Sequence, residues 1–332
     1  MAKKIHTGRC SFLPLVEEKE FSLFGVPDKQ KTPELCLKAV QEDGEELINV
    51  PKALITAEIC LVAVQEGGFA LRYVPKSLIT NELCLVSVQK NGYTLRDVPN
   101  KLKTEEICLA AVLQNGVALE LIPKAIITLE MCLTAVKNAG TALKYVPNIF
   151  KTLELCLAAV QQNAHALEFV PIRIKTFDLC LTAVRQNGYM LEYVPDKLKT
   201  PELCNIAVNE SGMALEFVPE AHKTNELCLI AVQNHGGSLE YVPESLRTAD
   251  ICMIAVKQNV FALLSVPKIY QTPEIYCEAV KKNVLALRHA PKEIKQIPEL
   301  RQLYIDQYVK IALEELDKDY FSIQFFFESI FT

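Results

Sequence analysis

One threonine recurs every 24 residues, at Thr32, Thr56, Thr80, Thr104, Thr128, Thr152, Thr176, Thr200, Thr224, Thr248 and Thr272, with no insertion between copies. Other columns keep the same register: cysteine at the fifth place from Cys36 to Cys252, valine at the ninth from Val40 to Val280, leucine at the sixteenth from Leu47 to Leu287, and proline at the twentieth from Pro51 to Pro291. A half-repeat with Val26 and Pro27 in register precedes the first copy. A segment this short cannot enclose a core of its own, so a chain written this way must bury its apolar residues between consecutive copies.

Each repeat reads as two short helical pieces. The threonine is placed to cap the first, its hydroxyl satisfying an amide of the opening turn. Pro33, Pro201 and Pro273 occupy the first helical position, where a missing N–H costs nothing. An acidic residue two places after the threonine, from Glu34 to Glu274, complements the positive end of the helix dipole. Leu155, Cys156, Ala159 and Val160 have the spacing of one buried stripe, and an Asn-Gly pair such as Asn115-Gly116 predicts a left-handed C-cap after about eleven residues. The second piece, such as Tyr189 to Leu198, carries Leu191, Val194 and Leu198 on one side but is interrupted by Pro195, which predicts a short α turn, a kink and a 3₁₀-like turn. The expected fold is an all-α, right-handed α-solenoid of eleven 24-residue repeats over residues 20–297. An N-terminal segment, 1–19, precedes it, and a capping helix with a hydrophobic tail, 298–332, follows.

Of the twelve cysteines, ten occupy the fifth column. Neighbours one helix layer apart, about 8–10 Å, exceed the reach of a disulfide, roughly 7 Å between Cα atoms. The repeat offers no C-x-x-C pair and no nearby histidine for zinc. The column is therefore predicted to hold small buried hydrophobes in a reducing compartment, with no disulfide, metal or cofactor. A net charge of −5 argues against nucleic acid as partner. No apolar stretch suits a secretory signal or a membrane span, and the chain is expected to work in a cytosol-like compartment.

The stretches "TPELCLKAVQEDG", "LCLTAVRQNGYMLEYVP" and "LCLAAVQQNAHALEFVP" resemble a short helical repeat known as a domain of unknown function, over residues from about 20 to 295. The resemblance implies a helical array of the kind found in protists, algae and intracellular bacteria, where several members look like effectors injected into a host cell. It implies no reaction. The regular cysteine, and Val-Pro where many family units have Ala-Ser or Ala-Pro, set this chain apart. The period is also similar to that of leucine-rich variant repeats, which alternate α and 3₁₀ helices.

In such an array function sits on columns that vary between otherwise equal repeats. The seventeenth column reads Arg72, Arg96, Glu120 and Lys144, then four consecutive carboxylates, Glu168, Glu192, Glu216 and Glu240, then Arg288. Beside it lie Phe169, Tyr193, Phe217 and Tyr241, and four places further Asp196, Glu220 and Glu244. One reading is an acidic and aromatic face that binds a basic, amphipathic segment of another protein. The other is a solvated face whose aromatics pack between layers.

A basic column, Lys103, Lys151, Lys175, Lys199, Lys223 and Arg247, is expected to pair with the capping carboxylates of neighbouring repeats, a phosphate-binding ladder being the alternative. The five histidines occupy four different repeat columns or lie outside the array, so the spacing implies no His-Cys or His-Ser dyad and no enzymatic activity is expected. Past Pro298, acidic residues Glu314, Glu315, Asp317 and Asp319 precede Phe325, Phe326, Phe327, Ile330 and Phe331. This tail resembles a type IV secretion signal, and it equally suits a segment docked on the array. The function expected is a non-enzymatic scaffold, a secreted effector binding a host protein, or else a structural spacer in its own cell.

Overall fold

The computed structural model describes residues 22–314, apart from the side chains at 289 and 308–314. The N-terminal segment, and the tail from Glu315 onward, lie outside the described residues. Among those described there is no strand. The α-helices are α1 (Pro33–Glu42), α2 (Ala57–Glu66), α3 (Asn81–Lys90), α4 (Glu105–Gln114), α5 (Leu129–Asn138), α6 (Leu153–Gln162), α7 (Phe177–Gln186), α8 (Pro201–Glu210), α9 (Asn225–Asn234), α10 (Ala249–Gln258), α11 (Pro273–Lys282), α12 (Lys292–Lys295) and α13 (Pro298–Glu314). The chain is an all-α solenoid of tandem repeats, divided by contact into two compact units, Met1–Ala135 and Val136–Thr332, and the same stacking rule operates inside each.

The threonine caps as its position requires: Thr152 Oγ1 accepts from the Leu155 amide at 3.3 Å, and Thr80 Oγ1 from Leu83 at 3.2 Å. Each helix of the array, α1 to α11, runs ten residues and turns inward a stripe such as Leu155, Cys156, Ala159 and Val160, none of them exposed. The cysteines Cys36 to Cys252 are free and 0% exposed. Burial pushes the thiols of Cys60 through Cys252 up to about 11, so at neutral pH they are uncharged hydrophobes rather than nucleophiles.

The Asn-Gly pair does not form a left-handed cap. Asn187 is extended, at φ −155°, and its side chain accepts from the Tyr189 amide at 3.0 Å, so the residue that ends α7 also starts the next piece. Among the described residues the only glycine at positive φ is Gly25. The glycine is needed for room: a Cβ on Gly188 would strike the carbonyl oxygen of Ala207 in the next repeat, and Gly92, Gly140, Gly212 and Gly236 face the equivalent alanine carbonyls.

The second piece is not a short α turn either. It is a six-residue 3₁₀ helix, Gly188–Tyr193 in repeat seven, then extended Val194-Pro195, then a three-residue 3₁₀ turn, Asp196–Leu198. Proline at the twentieth place has no N–H, and Val194, forced extended before it, closes the longer helix by donating to Leu191 O at 3.2 Å.

Two polar ladders tie several repeats to the next within each unit. Lys103, Lys151, Lys175 and Lys223 each donate to the carbonyl 18 residues on, at Leu121, Phe169, Tyr193 and Tyr241, over 2.6–3.0 Å; Arg247 does the same to Ser265. This corrects the expected pairing: the cations cap the orphan carbonyls at the end of the following 3₁₀ helix, not the first-turn carboxylates. Burial lowers the pKa of Lys103, Lys151 and Lys175. In the second ladder the Gln114 amide accepts from Gly92 N at 2.6 Å and lies 3.4 Å from Lys90 O, and Gln258 repeats this with Gly236 and Asn234.

The array ends against α13, which packs on α11 and buries Leu300 and Tyr304 completely. Two outcomes test this packing. Gly188→Val should cost about 1–3 kcal/mol by overpacking against the Ala207 carbonyl, read as a lower urea midpoint. Cys156→Ser should lower the midpoint by a similar amount, about 1–3 kcal/mol, because the hydroxyl is buried in an apolar layer.

Candidate protein-binding face

Once the repeated columns are assigned to packing and capping, the surface that differs between repeats is the outer side of the longer 3₁₀ helices. Three residues per turn place positions i and i+3 directly above one another. The fourteenth and seventeenth columns therefore share a face, so that Tyr189 stands over Glu192 and His165 over Glu168.

All the residues singled out from the sequence lie in the second compact unit, Val136–Thr332. Glu168, Glu192, Glu216 and Glu240 are exposed, and among the described residues none forms an ion pair with a cation of the chain. Phe169, Tyr193, Phe217 and Tyr241 are half-buried beside them. Burial, reinforced by the carboxylates of Glu192 and Glu168, raises the pKa of the Tyr193 phenol. Tyr241 is raised likewise, by burial and then by Glu216 and Glu240, so a carboxylate of one repeat lies near the tyrosine of the next. The face is thus contiguous across repeats.

The third group behaves differently. Asp196 pairs with Lys199 at 3.1 Å and Glu220 with Lys223 at 2.7 Å, which offsets their charge, whereas Glu244 makes no such pair. The sequence reading missed Tyr189, whose ring meets Phe217 of the next repeat edge-on, with centroids 6.0 Å apart and planes at 64°. Reading the whole second piece as a 3₁₀ helix would have placed it on the face. The first compact unit carries cations in the same column: Arg72 lies 3.6 Å from Asp97 and 4.9 Å from the centre of the Phe69 ring.

The ammonium groups of the basic column are turned inward, with the Lys199 and Lys223 side chains 11% and 7% exposed, leaving them poorly placed to meet phosphates. Among the described residues no group of His, Cys, Asp and Glu could hold a metal ion, and no helix is long and apolar enough to cross a membrane.

Four consecutive stretches, residues 81–127, 128–175, 176–223 and 225–271, match the family model described as Domain of unknown function (DUF4116). The chain belongs to the DUF4116 family. Each match spans two of the 24-residue repeats, so the DUF4116 unit is a pair of stacked layers rather than one. That pairing has a physical sense, since a single layer has no neighbour to receive its lysine and glutamine bonds. Glu168 falls in the second DUF4116 match, Glu192 and Glu216 in the third, and Glu240 in the fourth. No curated protein and no solved structure matches the chain.

Because the neutral phenol is the favoured form, the contribution of Tyr241 to stability holds below the free tyrosine value of about 10 and is lost as pH rises through its higher folded value. Glu216→Gln should bring that value down toward, but not to, the free one, since burial remains. Ring-carbon NMR titration of Tyr241 would show it, and an unshifted curve would separate the two side chains.

Proposed function

We propose that this chain is a non-enzymatic scaffold that binds a basic, amphipathic segment of a partner protein along repeats six to nine. The observation that carries the reading is a contrast between columns. The lysine column is engaged on carbonyls and the threonine column on amides, while four successive glutamates face solvent with half-buried aromatics between them. Aligned exposed carboxylates repel one another, and a row of cations spaced along a partner relieves that repulsion while its apolar side meets the rings. Glu168, Glu192, Glu216, Glu240 and the unpaired Glu244 supply the charge. Phe169, Tyr189, Tyr193, Phe217 and Tyr241 supply the apolar contact.

The same reading extends to where the chain works. It acts in a cytosol, and the acidic then aromatic composition of residues 314–332 supports export by a type IV system as an effector acting on a host protein. Uncharged cysteine thiols suit a reducing compartment.

The test compares the wild-type chain with a Glu192→Lys, Glu216→Lys, Glu240→Lys variant in affinity capture from eukaryotic lysate with quantitative mass spectrometry. A partner held by the first should be weakened about three- to 150-fold on the second, as three exposed pairs of about 0.2–1 kcal/mol imply, and should be released by moderate salt. Partners captured equally by both chains would overturn the reading.

A further inference from the structure

The seventeenth column changes sign along the chain while its local geometry stays the same. In repeats two and three it holds Arg72 and Arg96, and in repeats six to nine Glu168, Glu192, Glu216 and Glu240, all of them exposed. One 3₁₀ turn earlier an aromatic stands in both places: Phe69 before Arg72 and Tyr93 before Arg96, as Tyr189 before Glu192. The Arg72 guanidinium lies 4.9 Å from the centre of the Phe69 ring, and Tyr93 is 40% exposed against 37% for Tyr189. The twenty-first column changes in step, with exposed Lys52, Lys76 and Lys124 in the first compact unit and exposed Asp196, Glu220 and Glu244 in the second.

The two faces also share a period. The layers that carry the arginines are joined by the same kind of contact as those that carry the glutamates: Gly68 meets the Ser87 carbonyl, and Gly188 meets that of Ala207. Charges on each face therefore recur at the interval of one layer, so two consecutive arginines can meet two consecutive glutamates at once. Among the described residues Lys52, Lys76, Arg96 and Lys124 form no ion pair. Arg72 lies 3.6 Å from Asp97 with 38% of its side chain still exposed.

We propose that copies of this chain associate, the cationic and aromatic face of repeats two and three on one copy seating against repeats six to nine of another. The proposal rests on the reading of repeats six to nine as a binding face and names a second copy as a partner for it. Arg72 and Arg96 supply cations at the interval of the glutamates, and Phe69 and Tyr93 supply rings to meet Tyr189 and Phe217. Because every copy carries both faces, the contact either closes into a pair or runs on into longer assemblies. Copies joined this way cover the stripe, so an outside basic partner competes with the second copy for it.

Sedimentation velocity of the purified full chain over a range of concentrations at low salt tests the proposal. The samples are the wild type, an Arg72→Glu, Arg96→Glu variant and a Glu192→Arg, Glu216→Arg variant. The four replaced side chains are exposed, and circular-dichroism spectra matching the wild type establish that the fold survives; a Lys76→Glu, Arg96→Glu variant, which keeps the Arg72–Asp97 pair, takes the place of the first if its spectrum differs. The wild type should rise above the mass of one chain with concentration and return to it in moderate salt. Each variant alone presents two faces of like sign and should need at least about tenfold more protein to associate. An equimolar mixture of the two variants pairs the reversed faces and should associate where the wild type does. A wild type that stays a single chain throughout overturns the proposal, as does association that both variants retain or that the mixture fails to restore. A single-chain wild type whose lysate partner is lost on the Glu192, Glu216, Glu240 variant upholds the stripe and overturns the second copy, so the two readings fail separately.

Discussion

Consecutive repeats meet backbone to backbone. The carbonyl of an alanine in one helix, such as Ala207, comes so near the α-carbon of Gly188 in the preceding repeat that no side chain fits between them. That contact fixes the distance between layers, and the rest of the structure depends on it. At this spacing Cys156, Ala159 and Val160 are fully buried between helices. It also lets a lysine from one repeat reach the last carbonyl of the next 3₁₀ helix, and a glutamine amide reach back to the glycine N–H. Where Ala164 replaces glycine the amide bond shifts, Gln186 donating instead to Val160 O at 2.9 Å. Val260, which replaces it in repeat ten, lines an apolar cleft.

The architecture was legible because its causes are periodic. A threonine that caps and a cysteine that packs recur at fixed intervals, and the structure places both where elementary helix chemistry puts them. What could not be read were the bonds whose partners carry no sequence signature. Lys151 donates to the backbone oxygen of Phe169, and any residue at 169 would present the same oxygen, so the pattern pointed to carboxylates that were chemically plausible but lie elsewhere. Asn-Gly misled in a similar way. The pair usually signals a left-handed turn, but here the asparagine caps the 3₁₀ helix and the glycine makes room for a neighbour that only the folded array supplies. The same layer spacing decides why Tyr189 meets Phe217, a contact invisible from either repeat alone.

The division of labour among columns follows from this. Residues that repeat are held by packing, by the amide ladder or by carbonyl capping, and these leave little freedom to act on another molecule. Residues that vary stand on the outer side of the 3₁₀ helices, where Glu192 and Glu216 are exposed beside the phenols of Tyr193 and Tyr241 and, among the described residues, form no ion pair with a cation. A scaffold built this way can change its binding surface repeat by repeat without altering its stacking, because the two sets of columns share no side chain.

The central claim is that stability resides in identical contacts between neighbouring repeats. The most direct measurement is urea unfolding of a chain lacking residues 176–223, one DUF4116 match and two whole repeats. The deletion places Lys175 directly before Thr224, where its partner becomes the Tyr241 carbonyl instead of that of Tyr193. The account predicts a folded chain with the same helical circular-dichroism signature per residue, a smaller denaturant slope in proportion to its length, and a somewhat lower midpoint. Loss of the helical signal, or a stability unchanged by removing two layers, would contradict it.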